Sequence, residues 1–293
     1  MIRKNKLDIN LPFIEKYFDK SFCKSLSKNK FFEIFEQKRR DWKLPATAYP
    51  SKVLNYLVKR EVFKLNIFYS NSDEKKEVYS WKTQDDYTVI SGLKCNSYFT
   101  FYSSMFLHQL TLQIPKTVYL NFEHSSPISQ KNKKSTLTQE AIDKAFSSAQ
   151  RKSSLTFAFN DQKIILTNGK YTGKLGVIKK NNKNQSYEYT DLERTLIDIA
   201  VRPVYAGGVF EVLEAYKTAK GKIKVCRLKE YLDKLKYIYP YDQLIGFYLE
   251  KAGYDKTDVD LFKNKHKFNF YLTYDIRQKE FSDKWKLYYP KGF

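Results

Sequence analysis

The chain has 293 residues and a net charge of +21, from 53 basic and 32 acidic side chains. A hydrophobic content of 42% with 17% aromatics excludes a wholly disordered polymer, and the length suffices for two domains or three small ones. The charge excess points to a polyanionic partner, nucleic acid first and an anionic membrane surface second.

Residues 11–18 form a short amphipathic piece, and the polar, basic run SFCKSLSKNK follows it. Residues 1–28 are expected to be a basic arm, either poorly ordered, packed as a helix on the next domain, or touching phosphates. Residues 31–40, FFEIFEQKRR, predict a helix with Phe31, Ile34 and Phe35 in an apolar stripe and a basic end that suits the helix dipole. DWKLPATA reads as a connector, with LPATA short for a helix of its own. Pro50 then opens a second helix in which Val53, Leu54, Leu57 and Val58 point inward. Next come EVFKLNIFYS and EVYSW, a hairpin with the charged tip NSDEKK.

Helix, connector, helix, hairpin is the order of a winged helix-turn-helix, placed here at residues 29–90. Its expected DNA contacts are Lys43, Thr47 and Tyr49 from the connector, Ser51, Lys52, Asn55, Tyr56, Lys59 and Arg60 from the second helix, and Lys75 and Lys76 from the wing. Small helix-plus-hairpin modules also serve as protein-binding domains, so the residues alone leave both roles open.

Residues 83–96 read as a link, and residues 91–293 as a larger mixed α+β domain. Apolar residues at a helical period run through residues 98–110, where His108 reads as a packing residue because no cysteine, serine or acid stands at dyad spacing. A strand at 116–123, a polar loop HSSPISQKNKKSTLTQ and a helix at 137–149 capped near Thr138 follow. Two hairpins come next, LTFAF–ND–QKIILTN and LGVIKK–NNKNQ–SYEYT. The basic tip of the second is either a solvated loop that blunts a sheet edge or a further nucleic-acid contact.

The segment YTDLERTLIDIAVRPVYAGGVFEVLEAY predicts a helix pair. Thr190 and Glu193 stand at capping-box spacing, and Leu192, Leu196, Ile199 and Ala200 share one face. Arg194, Asp198 and Arg202 recur every four residues on roughly the opposite side, which reads as an exposed charge ladder. Pro203 ends the helix, Gly207 and Gly208 supply the turn, and Val209, Val212, Leu213 and Tyr216 start a second helix. Arg194, Asp198, Arg202, Tyr205, Gly207 and Gly208 are the candidate functional motif of this domain; the alternative is that they only hold the helix pair in shape. KIKVCRLKEYLDKL and PYDQLIGFYLEKAGY read as helices, and FNFYLTYD and WKLYYP as strands that return to the sheet. With no regular βαβ repeat, the class is α+β.

Cys23, Cys95 and Cys226 lie far apart, and His108, His124 and His266 show no metal-ligand spacing. No P-loop, nucleophile elbow or zinc-protease helix is present, and no run of ~18 apolar residues occurs. The reading is therefore a soluble cytoplasmic protein without catalytic residue, cofactor or metal. A metal-dependent nuclease built around Asp161, Gln162 and Lys163 is the enzyme alternative, and a nucleic-acid-binding scaffold of a phage-defence locus is the other.

LERTLIDIAVRPVYAGGVFEVLEAY resembles the signature segment of the AbiEi antitoxin family of bacterial type IV toxin–antitoxin systems. SYFTFYSSMFLHQLTLQIPKTVYL is similar to a second family segment, with Gln109 where the family has glycine. The resemblance extends from about residue 30 to the end. It implies an N-terminal winged helix that binds inverted repeats in the protein's own promoter and represses it. It also implies a C-terminal domain that counteracts an AbiEii-type nucleotidyltransferase toxin, with or without a stable complex.

Overall fold

Leu7, Leu11, Ile14 and Phe18 recur at four, three and four residues, the period of a helix with one apolar face. In the computed structural model, which describes residues 6–72, 74–83, 85–125, 137–183, 185–263 and 266–293, that face is the start of a core. The elements in chain order are α1 (Lys6–Lys20), β1 (Ser25–Ser27), α2 (Lys28–Lys38), α3 (Pro50–Lys59), β2 (Phe63–Ser70), β3 (Lys75–Trp81), α4 (Asp86–Ser91), β4 (Ser97–Phe99), α5 (Tyr102–Leu107), β5 (Thr117–Glu123) and α6 (Gln139–Phe146). They continue with β6 (Thr156–Phe159), β7 (Gln162–Gly169), β8 (Val177–Asn181), β9 (Ser186–Thr190), α7 (Leu192–Val201), α8 (Val209–Ala219), α9 (Val225–Leu235), α10 (Tyr241–Lys251), α11 (Lys256–Asp260), β10 (Phe270–Tyr271), β11 (Lys279–Ser282) and β12 (Leu287–Pro290). The class is α+β.

The chain divides into two compact units. Unit 1 comprises Met1–Tyr98, Leu155–Ile164 and Lys179–Tyr189, and unit 2 the rest. Unit 1 thus takes in more than the 29–90 module read from the sequence. Residues 6–20 are not a loose arm: Ile14 and Phe18 of α1 are fully buried. Phe18 stands 5.0 Å from Phe63 and 5.1 Å from Trp81, ring centre to ring centre. Phe31 and Trp42 complete this aromatic centre at 6.3 Å from each other. The Trp81 indole N–H donates to Asp19 Oδ1 at 2.8 Å, so the polar edge of a buried ring is satisfied by α1 as well.

Within unit 1, β2 and β3 form the expected hairpin, in antiparallel register from Phe63↔Trp81 to Tyr69↔Lys75. β1 adds antiparallel to the free side of β3, with Leu26 opposite Tyr79. On its other side β2 meets β6 at Tyr69↔Ala158 and Ser70↔Phe157. The stretch expected as a link carries α4, whose Thr88, Val89 and Ile90 are buried and whose first turn is capped by Asp85. Gly92 after it has no room for a side chain, because a Cβ would lie 2.4 Å from Ser25 Oγ and 2.8 Å from the Leu26 nitrogen.

Unit 2 has its own core, drawn from α7, α8, α9 and α10 with Phe146 of α6 and Phe270, Leu272, Trp285 and Leu287 of the tail. The expected helix at 98–110 is shorter than its apolar period suggests: β4 ends at Phe99, Phe101 takes a positive φ of 52°, and only Tyr102–Leu107 is helical. Gln109 has φ 56°, the left-handed conformation in which glycine is unstrained. The tail strands form a separate sheet in the order β10-β12-β11 rather than returning to the main one. Of the loop at 124–139, residues 126–136 lie outside the described residues.

Gly246 in α10 gives a direct test of this packing, since a Cβ there would stand 2.3 Å from two ring carbons of Trp285. An open helical Gly→Ala change stabilises by about 1 kcal/mol. Gly246→Ala is expected to do the reverse and cost about 1–3 kcal/mol through overpacking, read as a lower urea midpoint. A raised midpoint would mean that Trp285 does not sit against α10.

Candidate functional site

In unit 1 the candidate contacts gather on and around α3. Pro50 holds the first helical position, and Tyr49 before it is extended and makes no side-chain cap. The first-turn N–H groups therefore remain available to an anion. Val53, Leu54 and Leu57 are buried, while Ser51, Lys52, Asn55 and Lys59 are exposed, as the period of the sequence predicts. Tyr49 is 62% exposed, and the Lys52 ammonium stands 5.2 Å from its ring centre.

Two of the expected contacts are committed within the protein. Tyr56 donates its hydroxyl, and Arg60 its guanidinium, to Oδ1 of Asp8 on α1. The Tyr56 phenol is pushed up, chiefly by burial and then by this carboxylate. Arg60 is raised by its hydrogen bond to Tyr56 and by the charge of Asp8. Asp8 was not anticipated from sequence; its signal was the apolar period of α1, in which it sits one residue after Leu7.

Lys43 and Thr47 are exposed on the connector, with the Lys43 ammonium 4.4 Å from the Phe13 ring centre. The connector itself is tied down at both ends: Asn10 donates to the Lys43 carbonyl at 3.2 Å and Arg39 to that of Ala46 at 3.0 Å. Lys75 and Lys76 begin β3, close to the rings of Tyr69 and Phe157 at 5.8 and 5.3 Å. Lys76 is held below the usual lysine range by desolvation, and neighbouring Lys94 adds to the effect. Beside β2, where it runs beyond its pairing with β6, lies a cleft of about 570 Å³ lined by Lys64, Asn66, Thr83, Asp86 and Asn160 among others.

The expected motif of the C-terminal domain needs correction. α7 is buried on nearly every side, from Glu193 to Ala200, so Arg194 and Asp198 are not an exposed ladder. Each is 6% exposed. Arg194 Nε donates to Asp198 Oδ1 at 2.8 Å and its Nη1 to the Leu175 carbonyl at 2.7 Å. Thr100 donates to Asp198 Oδ2 at 2.8 Å. Only Arg202 of the three reaches solvent. The helix cap is also different: Asp191 accepts from the Arg194 N–H, while the Thr190 hydroxyl pairs with Thr195. Glu193 turns instead to Arg227 and to the Lys224 N–H.

Tyr205 is 1% exposed, and its hydroxyl accepts the Ser153 N–H at 2.7 Å. Gly207 and Gly208 have φ of 80° and 101°, which explains glycine at both places of the turn. These residues shape unit 2 from inside. His108 is a packed residue too: its Nε2 lies 2.8 Å from the Thr190 carbonyl, and desolvation holds its pKa below the usual value.

Among the described residues no group of three or more histidine, cysteine, aspartate or glutamate side chains is placed to hold a metal. Nor is any helix long and apolar enough to cross a membrane. Comparison with known protein families and with curated proteins found no match to the chain.

Arg194→Met removes the ion-pair partner of buried Asp198 and leaves it Thr100 as side-chain donor among the described residues. Breaking a buried pair in this way costs about 3–5 kcal/mol. Chemical denaturation of Arg194→Met is expected to show a loss of that size; a loss below about 1 kcal/mol would mean that water reaches Asp198.

Proposed function

We propose that the chain is a DNA-binding autorepressor that also acts as the antitoxin of a type IV toxin–antitoxin pair, with no chemistry of its own. Unit 1 would bind double-stranded DNA, inverted repeats in its own promoter, with α3 in the major groove and the β2–β3 tip as the wing. One observation carries this reading. The order α1-β1-α2-α3-β2-β3, with β1 paired to the outer side of β3, is the order of winged helix domains, and α3 presents Ser51, Lys52, Asn55 and Lys59 to solvent.

The roles divide by chemistry. Lys43, Lys52, Lys59, Lys75 and Lys76 supply point charges for phosphates, whereas Asn55, Ser51 and Thr47 have the donors and acceptors that read base edges. Tyr49, exposed at the head of α3, adds a hydroxyl and a flat ring at the same place. The antitoxin role rests on the family resemblance of the 192–216 segment, and unit 2 would carry it against a nucleotidyltransferase toxin. A cytoplasmic location goes with both activities.

The test is a gel-shift titration on the DNA upstream of the protein's own gene, with a shuffled competitor and two salt concentrations. Selective binding is expected to survive the higher salt. Lys52→Ala, Asn55→Ala and Lys59→Ala together are expected to abolish selectivity and to reduce the salt slope by about 2, one for each lysine removed from a phosphate. Equal binding to both DNAs, fading steeply with salt, would reduce the charge of +21 to a non-specific polyelectrolyte effect and sink the repressor reading.

A further inference from the structure

β2 is paired along both of its edges only near the wing tip. β3 accompanies it from Phe63 to Tyr69, whereas β6 meets it only at Tyr69↔Ala158 and Ser70↔Phe157. The Ser70 N–H donates to the Glu74 carbonyl, on the β3 side. Backbone groups alternate in direction along a strand, so those of Leu65 and Ile67 point away from β3, to the side that β6 has left. Among the described residues they have no backbone partner there. The space they face is the cleft of about 570 Å³. Residues 64–67 line one wall of it and residues 158–160 the other, with Thr83 and Asp86 between them. The walls are held together where Phe68 stacks on Phe159, ring centres 4.4 Å apart, and where Asn160 donates to Asp86 Oδ1 at 3.3 Å. The cleft is thus a wedge, closed where the strands pair and open at Lys64. Its free edge has the length of about four residues of a strand.

The two faces of this edge differ. Ser25 lies opposite Ser80 and Ser80 opposite Lys64, which puts the three on one face, and the Ser25 hydroxyl donates to the Val89 carbonyl. α4 therefore covers the Lys64 face, with Asp86 in its first turn. Leu65 and Ile67 are exposed on the other face. Among the described residues the Asp86 carboxylate accepts one side-chain hydrogen bond, from Asn160, and forms no ion pair. Burial, and then the charge of Asp85, raises this carboxyl, while Asn160 and Lys64 oppose them. A further cation beside Asp86 is therefore favoured.

A row of alternating N–H and C=O groups is completed by one chemistry, a polypeptide backbone in extended form. We propose that the cleft is a strand-addition site for the end of a partner polypeptide. The added segment pairs with Leu65 and Ile67, packs apolar side chains against them and sets a lysine or arginine beside Asp86. The wedge closes at Tyr69, so the segment ends there, which selects a chain terminus over an internal strand. A second copy's β2 does not fit, since its own free edge lies inside the same wedge. The site shares no residue with the exposed face of α3 and is independent of the DNA-binding reading.

Calorimetric titration of the full chain with the peptide acetyl-Val-Lys-Val-Lys-Val-amide tests this. Saturable binding of one equivalent, millimolar or tighter, is expected, with slowed deuterium exchange in residues 63–70. The same peptide with glutamate for lysine is expected to bind more weakly, although the net charge of +21 by itself favours it. N-methylation of the valines or of the lysines, whichever set of N–H groups faces β2, is expected to abolish binding. Asp86→Asn is expected to weaken binding of the lysine peptide about threefold and to remove its advantage over the glutamate peptide. Near-ultraviolet circular dichroism identical to the parent's would verify that this variant is folded. The Lys52, Asn55 and Lys59 triple variant is expected to bind the peptide as the parent does, which separates the site from DNA contact. Absence of saturable binding, undiminished binding of both methylated peptides or preference for glutamate would overturn the proposal. So would unchanged exchange in residues 63–70, or parent-like discrimination in Asp86→Asn.

Discussion

The Arg194–Asp198 pair sets the terms for unit 2. Two charges four residues apart on a helix are usually a surface pair of small value, but here both are inside, where an unpaired charge is costly. The pair is therefore completed from elsewhere in the unit. Thr100, just past β4, takes the second carboxylate oxygen, and the Leu175 carbonyl takes the guanidinium. The 172–176 segment that supplies this carbonyl must come close, and its own geometry follows from that demand. Glu123 of β5 accepts the N–H groups of Thr172 and Lys174, and Gly176 allows the approach, since a Cβ there would lie 2.7 Å from that of Arg194. One ion pair thus ties a helix, a strand end and a loop into a single arrangement.

Unit 1 depends in a comparable way on α1. Its Phe18 meets Phe63 and Trp81 of the hairpin, Asp19 satisfies the Trp81 indole, and Asp8 gathers Tyr56 and Arg60 from the far end of α3. The orientation of α3 is set by burial of Val53, Leu54 and Leu57 on one side and by Asp8 at its C-terminal end. Asp8 thereby places a carboxylate against Arg60 at the end of a surface rich in lysine.

Period and punctuation made α3, the β2–β3 hairpin, the later hairpins and the helices of the C-terminal half legible in the sequence. The misses have physical causes. The apolar stripe of α1 is interrupted by Pro12 and followed by a basic run, so the sequence leaves arm and packed helix both open, and the burial of Ile14 and Phe18 decides for the helix. A four-residue spacing shows that Arg194, Asp198 and Arg202 share a side of α7, but not that this side is covered as well. A helix buried all round has no polar face to announce it, and its charges then look like solvated ones. The cap slipped for a local reason, because Thr190 ends β9 and Asp191 is the residue left to meet the Arg194 N–H. Gln109 shows the converse: the resemblance marks a glycine position, and the backbone there takes a positive φ although the residue is glutamine.

The use of arginine connects the two units. The chain has only nine arginines among its 53 basic residues. Arg39 and Arg60 serve an internal carbonyl and Asp8 in unit 1, and Arg194 and Arg227 serve buried carboxylates in unit 2. In four of the nine arginines the planar fork, the side chain best able to read guanine, is thus committed to contacts within the protein. What remains on the face of α3 is lysine with asparagine, serine and tyrosine. On the proposed reading, affinity for DNA comes from lysine on phosphate and is strongly salt-dependent. Discrimination then falls to Asn55 and its neighbours and to the shape of the duplex. Arg202 stands outside this division of labour, since it lies over the Tyr205 ring, donates to the Arg151 carbonyl and is paired with no carboxylate among the described residues.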